Sequence, residues 1–368
     1  MTRLNSTRAT LLTTLPVLLF VLLTSVLPIC FLLSNAFSES GTALDQGGGW
    51  SLENFREIFY DSYYVGRMLY TVALVVLVSI LTLMVAMPLT IIIARLKNFW
   101  RSTWVVLLLT SLALSGLGVF LYAPILIVFG SSLNSSRQMV FPPSDPSMLW
   151  YQAFFSDPSW TGALINSVVI ACISSILAMA LAVLVATEAW RRNTKFSRFL
   201  IAGISLPFLI PGIVFAVSIS LVASMFGLLG TEVGIILGHV ALLVAIPLVT
   251  TQLGLSQVDS EHVDAATLMG LSEREMLFGL VLPIVRPYVI TGGLFALIIS
   301  MNEYVVAFLL SGFSVETLPI KIYNSQRYGF EPTLSVGTII YIGFSLVVLS
   351  YIATTGKLWS LLGMKHLE

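Results

Sequence analysis

Glu303 is the side chain with the most chemistry to offer. It lies inside an apolar run that begins at residue 287 and continues to 315, with Asn302 before it and Tyr304 after it. A carboxylate at that depth in a bilayer costs about 2.5–3.5 kcal/mol on insertion scales, so it must face protein or a water-filled path. Two roles fit. Glu303 either lines a solute pathway, with a cationic solute as the reason to keep it, or hydrogen-bonds a neighbouring helix for packing. On the first reading Tyr304 and Tyr341 add cation-π contacts if both face the same cavity. His239, in the run from 233 to 258, has neither a second histidine nor a carboxylate beside it in sequence, so an interhelical hydrogen bond is expected rather than a proton relay. Pro207, Pro211 and Gly212 either open backbone carbonyls toward a cavity, as broken transporter helices do, or form a packing kink. The candidate pathway residues are therefore Asn302, Glu303, Tyr304 and Pro211.

A second constellation runs from Asp264 to Pro283, DAATLMGLSEREMLFGLVLP, a partly charged amphipathic segment between two apolar runs. Its local chemistry predicts two short helices at an angle. Gly270 suits a left-handed residue ending the first, and Ser272 with Glu275 three positions later forms a capping box for the second. Ala265 and Ala266 allow close approach of another chain, Leu268, Met269 and Leu271 offer apolar anchors, and Asp264 adds negative charge near a helix start. The segment is either a docking site for a protein at the membrane surface or an ordinary connector.

At these residues the sequence resembles the permeases of bacterial ABC importers. Their docking loop reads E-A-A, three residues, G, nine residues, I-x-L-P. Here Asp264, Ala265, Ala266, Gly270, Leu280, Leu282 and Pro283 keep every spacing, with Asp for Glu and Leu for Ile. The resemblance implies that the loop enters a cleft of a separate ATPase subunit and transmits its closure to the membrane helices. It also implies an all-α polytopic fold, with a type I importer permease (MetI-like) core in the C-terminal two-thirds.

The elements that would position these residues are membrane spans. Apolar residues make up 57% of the 368 and charged residues 10%, against about 45–50% and 25% in soluble domains; mean hydropathy is +0.96. Lys plus Arg and Asp plus Glu balance at 18 each, which argues against a nucleic-acid partner. Cys30 and Cys172 both lie in apolar runs, so neither a disulfide framework nor a metal site is expected. Charge-poor runs at 9–38, 68–94, 102–136, 163–187, 199–231, 233–258, 287–315 and 332–356 predict eight spans and leave no soluble domain. The first is too long for a signal-peptide core. Alternate loops hold thirteen basic residues on one side, including Arg191, Arg192 and Arg274, and five on the other, including Lys321 and Arg327. By the positive-inside rule both termini and the 264–283 loop are cytoplasmic. Catalytic signals are missing: Gly356-Lys357 lacks the rest of a phosphate-binding loop, and neither a nucleophile elbow nor metal-ligand spacing occurs. This chain is expected to bind no cofactor and to hydrolyse no ATP.

A shift of 96 residues aligns the chain with itself without a gap. It pairs Ser51 with Ser147, Phe59 with Phe155, Asp61 with Asp157, Gly66 with Gly162, Ser79-Ile80-Leu81 with Ser175-Ile176-Leu177, and Arg95 with Arg191. Each copy contains two spans, so both copies cross in the same sense. The expected organisation is a partial first permease repeat in 1–116, two spans and the start of a third, and a complete permease domain in 117–368 carrying a cytoplasmic coupling loop at 255–286.

Resemblance narrows the solute too. LYAPILIVFGSSLNSSR (121–137), LPFLIPGIVFAVSISL (206–221) and NEYVVAFLLSG (302–312) look like the second permease of spermidine/putrescine importers, and residues 1–116 resemble the start of its companion. Importers of aminoethylphosphonate and ferric iron share much of this pattern and stay as alternatives, as does an ion-coupled secondary transporter using Glu303 and His239. The resemblance implies as partners ABC ATPase subunits carrying ATP and Mg, a second permease or a second copy of this chain, an extracytoplasmic solute-binding protein and the bilayer of a bacterial inner membrane.

Overall fold

A chain this apolar must satisfy its backbone internally, and helices do so within one segment. The computed structural model describes residues 19–354, apart from 21, 39–49, 96–121, 138–140, 144, 193 and 329–331. The basic residues Arg3, Arg8, Lys97, Arg101, Lys357 and Lys365, the Gly356-Lys357 pair, and the outer parts of the first and third expected spans lie outside the described residues. The helices in order are α1 (Leu22–Ala36), α2 (Glu53–Tyr60), α3 (Ser62–Arg95), α4 (Tyr122–Ser132) and α5 (Leu149–Ser156). They continue with α6 (Pro158–Arg192), α7 (Lys195–Leu209), α8 (Gly212–Met225), α9 (Glu232–Leu243) and α10 (Ala245–Leu255). The last are α11 (Ser260–Leu268), α12 (Glu273–Asn302), α13 (Val305–Ser311), α14 (Leu318–Tyr328) and α15 (Thr333–Thr354). Packing divides the chain into two compact units, Met1–Phe31 with Phe129–Glu368, and Leu32–Val128.

Of the eight expected spans, the first and third lie largely outside the described residues. Among the described residues four helices are long and apolar enough to cross a membrane, in α3, α6, α12 and α15, or up to six if two bent pairs each count as one. The run at 199–231 is not one straight helix: α7 and α8 meet at 109°. Pro211 is the reason. It follows Ile210, whose backbone is extended (φ −82°, ψ 141°), as a residue before proline prefers. The α9–α10 pair bends by 42° at Val244. The run past residue 287 is broken as well, at Glu303 and Tyr304.

Within the larger unit α6 is central, and its sequence explains why. Ala163, Ser167, Ala171, Ser174, Ala178, Ala182 and Ala186 are buried along one face. Lipid is as apolar as a leucine core, so helices associate by close packing and hydrogen bonds, and small residues permit both. Ser174 donates to the Ile236 carbonyl of α9 at 3.3 Å, and Ser167 Oγ accepts the Leu318 N–H at the start of α14 at 2.7 Å. Ala178, Ala182, Val185 and Ala186 join Leu200, Leu248, Leu255, Val281 and Val285 in a cluster that binds α6, α7, α10 and α12 together. Gly292 shows how close α12 and α10 come: a Cβ there would stand 2.1 Å from Thr250 Oγ1 and 2.6 Å from Pro247 Cα. A second cluster joins Phe215, Ala216 and Ile219 of α8 and Ile235, Ile236 and Val240 of α9 to Val306, Ala307 and Leu310 of α13. Trp150, Phe154 and Trp160 make a third with Leu318, Leu334 and Val336.

The 96-residue offset recurs in three dimensions. Ser38 bridges Trp50 in the smaller unit and Asn134 bridges Pro146 in the larger, each pair 96 positions from the other. Ser51 N–H donates to Phe37 O at 2.8 Å, and Ser147 N–H to Leu133 O at 2.6 Å. Both serines then accept the amide two residues on, Glu53 at 3.0 Å and Leu149 at 3.2 Å. Asp61 (φ −77°, ψ 115°) and Asp157 (φ −88°, ψ 113°) end α2 and α5, and each carboxylate accepts the N–H two residues later at 2.8 Å. Ser51, Ser147, Asp61 and Asp157 thus use short side chains to serve the backbone where helices start.

Candidate functional site

The segment from Asp264 to Pro283 is assembled by local bonds. Helix α11 starts earlier than Asp264 suggested: Asp259 caps it, accepting the Glu261 N–H at 3.0 Å, and Asp264 lies mid-helix with its side chain exposed. The helix ends as expected. Gly270 has φ +78°, its N–H donates to Thr267 O at 3.0 Å, and Leu271 N–H reaches back to Ala266 O at 3.2 Å. Those two bonds are a Schellman motif, and the left-handed residue it needs is least strained as glycine. Ser272 and Glu275 complete the capping box, with Ser272 N–H to Glu275 Oε2 at 2.8 Å and Glu275 N–H to Ser272 Oγ at 3.3 Å.

The two caps turn the chain so that its apolar side chains point into solvent. Leu268 is 89% exposed and Met269 73%, with Leu271 and Phe278 also exposed. Ala265 is exposed, whereas Ala266 is 4% exposed. Leu280 and Leu282 are half-buried and Pro283 is exposed. A π turn over Leu277–Val281 precedes Pro283. Proline has no N–H to give and its ring crowds the carbonyl four residues back, which a local widening relieves. Val281 and Val285, one turn apart, then anchor the segment in the α6–α7–α10 cluster. Arg191, at the end of α6, pairs with Glu273 and with Glu188.

Hydrogen bonds from the Ser272 side chain and then its backbone hold the Glu275 carboxyl below the ordinary glutamate range. A depressed folded pKa stabilises the box above the unfolded value and is lost as pH falls through the folded one. The box should therefore persist at neutral pH and open only in acid below the usual glutamate titration. Ser272→Ala should return Glu275 toward its ordinary range, readable by 13C-carboxyl titration of the solubilised protein.

The second site is the break between α12 and α13. Glu303 leaves helical conformation (φ −73°, ψ 113°), and its Oε2 accepts the N–H of Val306 at 2.9 Å and of Ala307 at 3.4 Å. It thereby caps α13, the role a carboxylate plays best at a helix N-terminus. Asn302 is the exposed last residue of α12. Tyr304 stacks on Phe308 at 5.3 Å between centroids and meets Tyr323 at 4.7 Å. Tyr341 does not join it and packs instead against the Trp150–Phe154–Trp160 cluster. Tyr323 takes the place expected for Tyr341. Pro211 opens α8, which packs on α13 through the second cluster.

His239 makes the interhelical bond expected of it, Nδ1 to Ser300 Oγ at 2.7 Å. Sequence distance concealed a second neighbour: Nε2 stands 4.0 Å from Glu303 Oε2. Residues 239 and 303 come together because α9 packs against α12 and α13, and no local spacing encodes that. Among the described residues no group of three His, Cys, Asp or Glu could hold a metal.

The family of the chain follows from comparison with known proteins. Residues 178–355 match the model for the binding-protein-dependent transport system inner membrane component. Over 240 residues the chain is 31% identical to the spermidine/putrescine transport system permease protein PotC of Haemophilus influenzae, covering 64% of this chain and 92% of that one. It is 29% identical over 258 residues to the putrescine transport system permease protein PotI of Escherichia coli, covering 66% and 89%. In fold it is similar to a chain of a bacterial ABC transporter involved in the import of the acidic polysaccharide alginate, with TM-score 0.53 and 14% identity over 71% of this chain and 99% of that chain. The chain belongs to the inner-membrane permeases of binding-protein-dependent transport systems, and it is a multi-pass, all-α membrane protein.

Proposed function

We propose that this chain is the translocating permease of an ATP-driven importer of polyamines, moved between outward-open and inward-open states by a separate ATPase that docks on Asp264–Pro283. The observation that carries it is the double-capped turn at Gly270–Ser272, which presents Leu268 and Met269 to solvent beside a helix anchored in the core. Exposed apolar anchors on a rigid turn are what a partner's cleft binds. The match to spermidine and putrescine permeases supports the solute, and a carboxylate at a helix break supports a cation. In this reading ATP and Mg reside on the ATPase subunits, and the coupling segment and both termini face the cytoplasm. A solute-binding protein delivers the amine from outside. Two ATPase sites need two docking segments; this chain has one, so a second permease or a second copy supplies the other. Residues 1–116 are the front of a permease repeat, joined to a complete permease domain in 117–368.

Gentle solubilisation of the tagged chain, with identification of every protein that copurifies, tests this first. An ATPase is expected, and [14C]spermidine uptake should stop when ATP is depleted with the proton gradient maintained. A folded preparation free of ATPase, or uptake that persists without ATP, would overturn it.

A further inference from the structure

We infer that His239 Nε2 and the Glu303 carboxylate form one receptor for a primary ammonium group at the α12–α13 break. This rests on the polyamine reading and names how the break would hold its solute. Ser300 Oγ at 2.7 Å from Nδ1 sets the imidazole plane, so Nε2 is aimed rather than free to swing. Nε2 is buried without a hydrogen-bond partner, and the His239 side chain is 2% exposed. A buried polar atom left unpaired costs about 1–3 kcal/mol, so an orphan aimed at a carboxylate marks a contact still to be made. The 4.0 Å between Nε2 and Oε2 is too long for a direct bond. It does suit two acceptors sharing one donor atom that lies about 2.8 Å from each. An ammonium group has three N–H donors and a positive charge, and a neutral imidazole with Nδ1–H on Ser300 has a lone pair at Nε2.

Glu303 keeps acceptor capacity beyond the α13 amides it caps. Its side chain is 12% exposed, which leaves a way in. Tyr304, the residue after Glu303, and Tyr323, its ring centroid 4.7 Å from that of Tyr304, offer aromatic faces for the methylenes or the charge of an amine. A receptor built on a helix terminus also opens when the half-helices move, so the same groups that take the ammonium would release it on the other side.

Asparagine and glutamine separate the two ring nitrogens. His239→Asn keeps an amide near Nδ1 and the Ser300 contact but removes the group facing Glu303; His239→Gln keeps an oxygen near Nε2 and gives up Ser300. With the chain in its complete importer, [14C]spermidine uptake should fall about tenfold in H239N and stay within about threefold of wild type in H239Q, with ATPase copurification unchanged in both. Packing alone predicts the reverse order, and that order, or wild-type uptake by H239N, overturns the inference. Should H239N or H239Q lose its ATPase, the double variant decides on the remaining single: with E303Q it should transport no less than the worse of the two, whereas losses that multiply would assign the residues separate roles. Wild-type importer that takes up neither spermidine nor putrescine overturns the solute reading itself, and is distinguishable because the failure precedes any substitution.

Discussion

Gly270→Val should abolish ATP-driven uptake while leaving the protein in the membrane. At φ +78° an L residue is strained by roughly 1–2 kcal/mol, and a β-branched one by more. The strain is in the backbone alone, since a Cβ at Gly270 would meet nothing within 4 Å. Relief means leaving the left-handed region, and both Schellman bonds, Gly270 to Thr267 O and Leu271 to Ala266 O, then break. The exit of α11 swings, and Leu268 and Met269 no longer stand where a partner would meet them. The core is untouched, because Val281 and Val285 anchor α12 independently. Gly270→Asn should recover most activity, since Asn tolerates that conformation. The check is ATPase copurification measured beside uptake. A G270V complex that keeps its ATPase and its transport would show that the turn has no part in docking.

Glu303→Gln should lower [14C]spermidine uptake by at least about tenfold at an unchanged membrane level, as expected for losing a charge-assisted contact of about 1.5–3 kcal/mol. Gln keeps an oxygen for the Val306 and Ala307 amides, so the α13 cap survives in outline while the charge disappears. Glu303→Ala removes the cap as well and should cost about 1 kcal/mol in stability besides, typical of an N-cap lost to alanine. Comparing the two separates the functions. Should E303Q transport as wild type does while E303A is merely less stable, Glu303 is a capping residue and not part of the path.

Local chemistry complete within a few residues was legible at the end of α11, though not at its start, which Asp259 caps. Gly270, Ser272 and Glu275 encode their own turn, because a left-handed cap and a capping box are closed by bonds of three to five residues. Ser51, Asp61 and their counterparts Ser147 and Asp157 were visible as matched positions for the same reason: each accepts a backbone N–H two residues on, within its own segment. Pro211 announced a break, though not its 109°, since the angle depends on what α7 and α8 pack against. An apolar run does not by itself tell one straight helix from two short ones joined by a non-helical residue such as Glu303.

What the sequence by itself determined is the class of molecule: apolar runs compel helices in a bilayer, and Gly270, Ser272 and Glu275 close the turn between α11 and α12. Only the tertiary structure decided that His239 faces Glu303, that Tyr323 rather than Tyr341 accompanies Tyr304, and that Glu303 caps α13. The first set depends on interactions between near neighbours in the chain or with the solvent. The second depends on how α9, α12, α13 and α14 cross, and that is settled by the whole packed bundle at once.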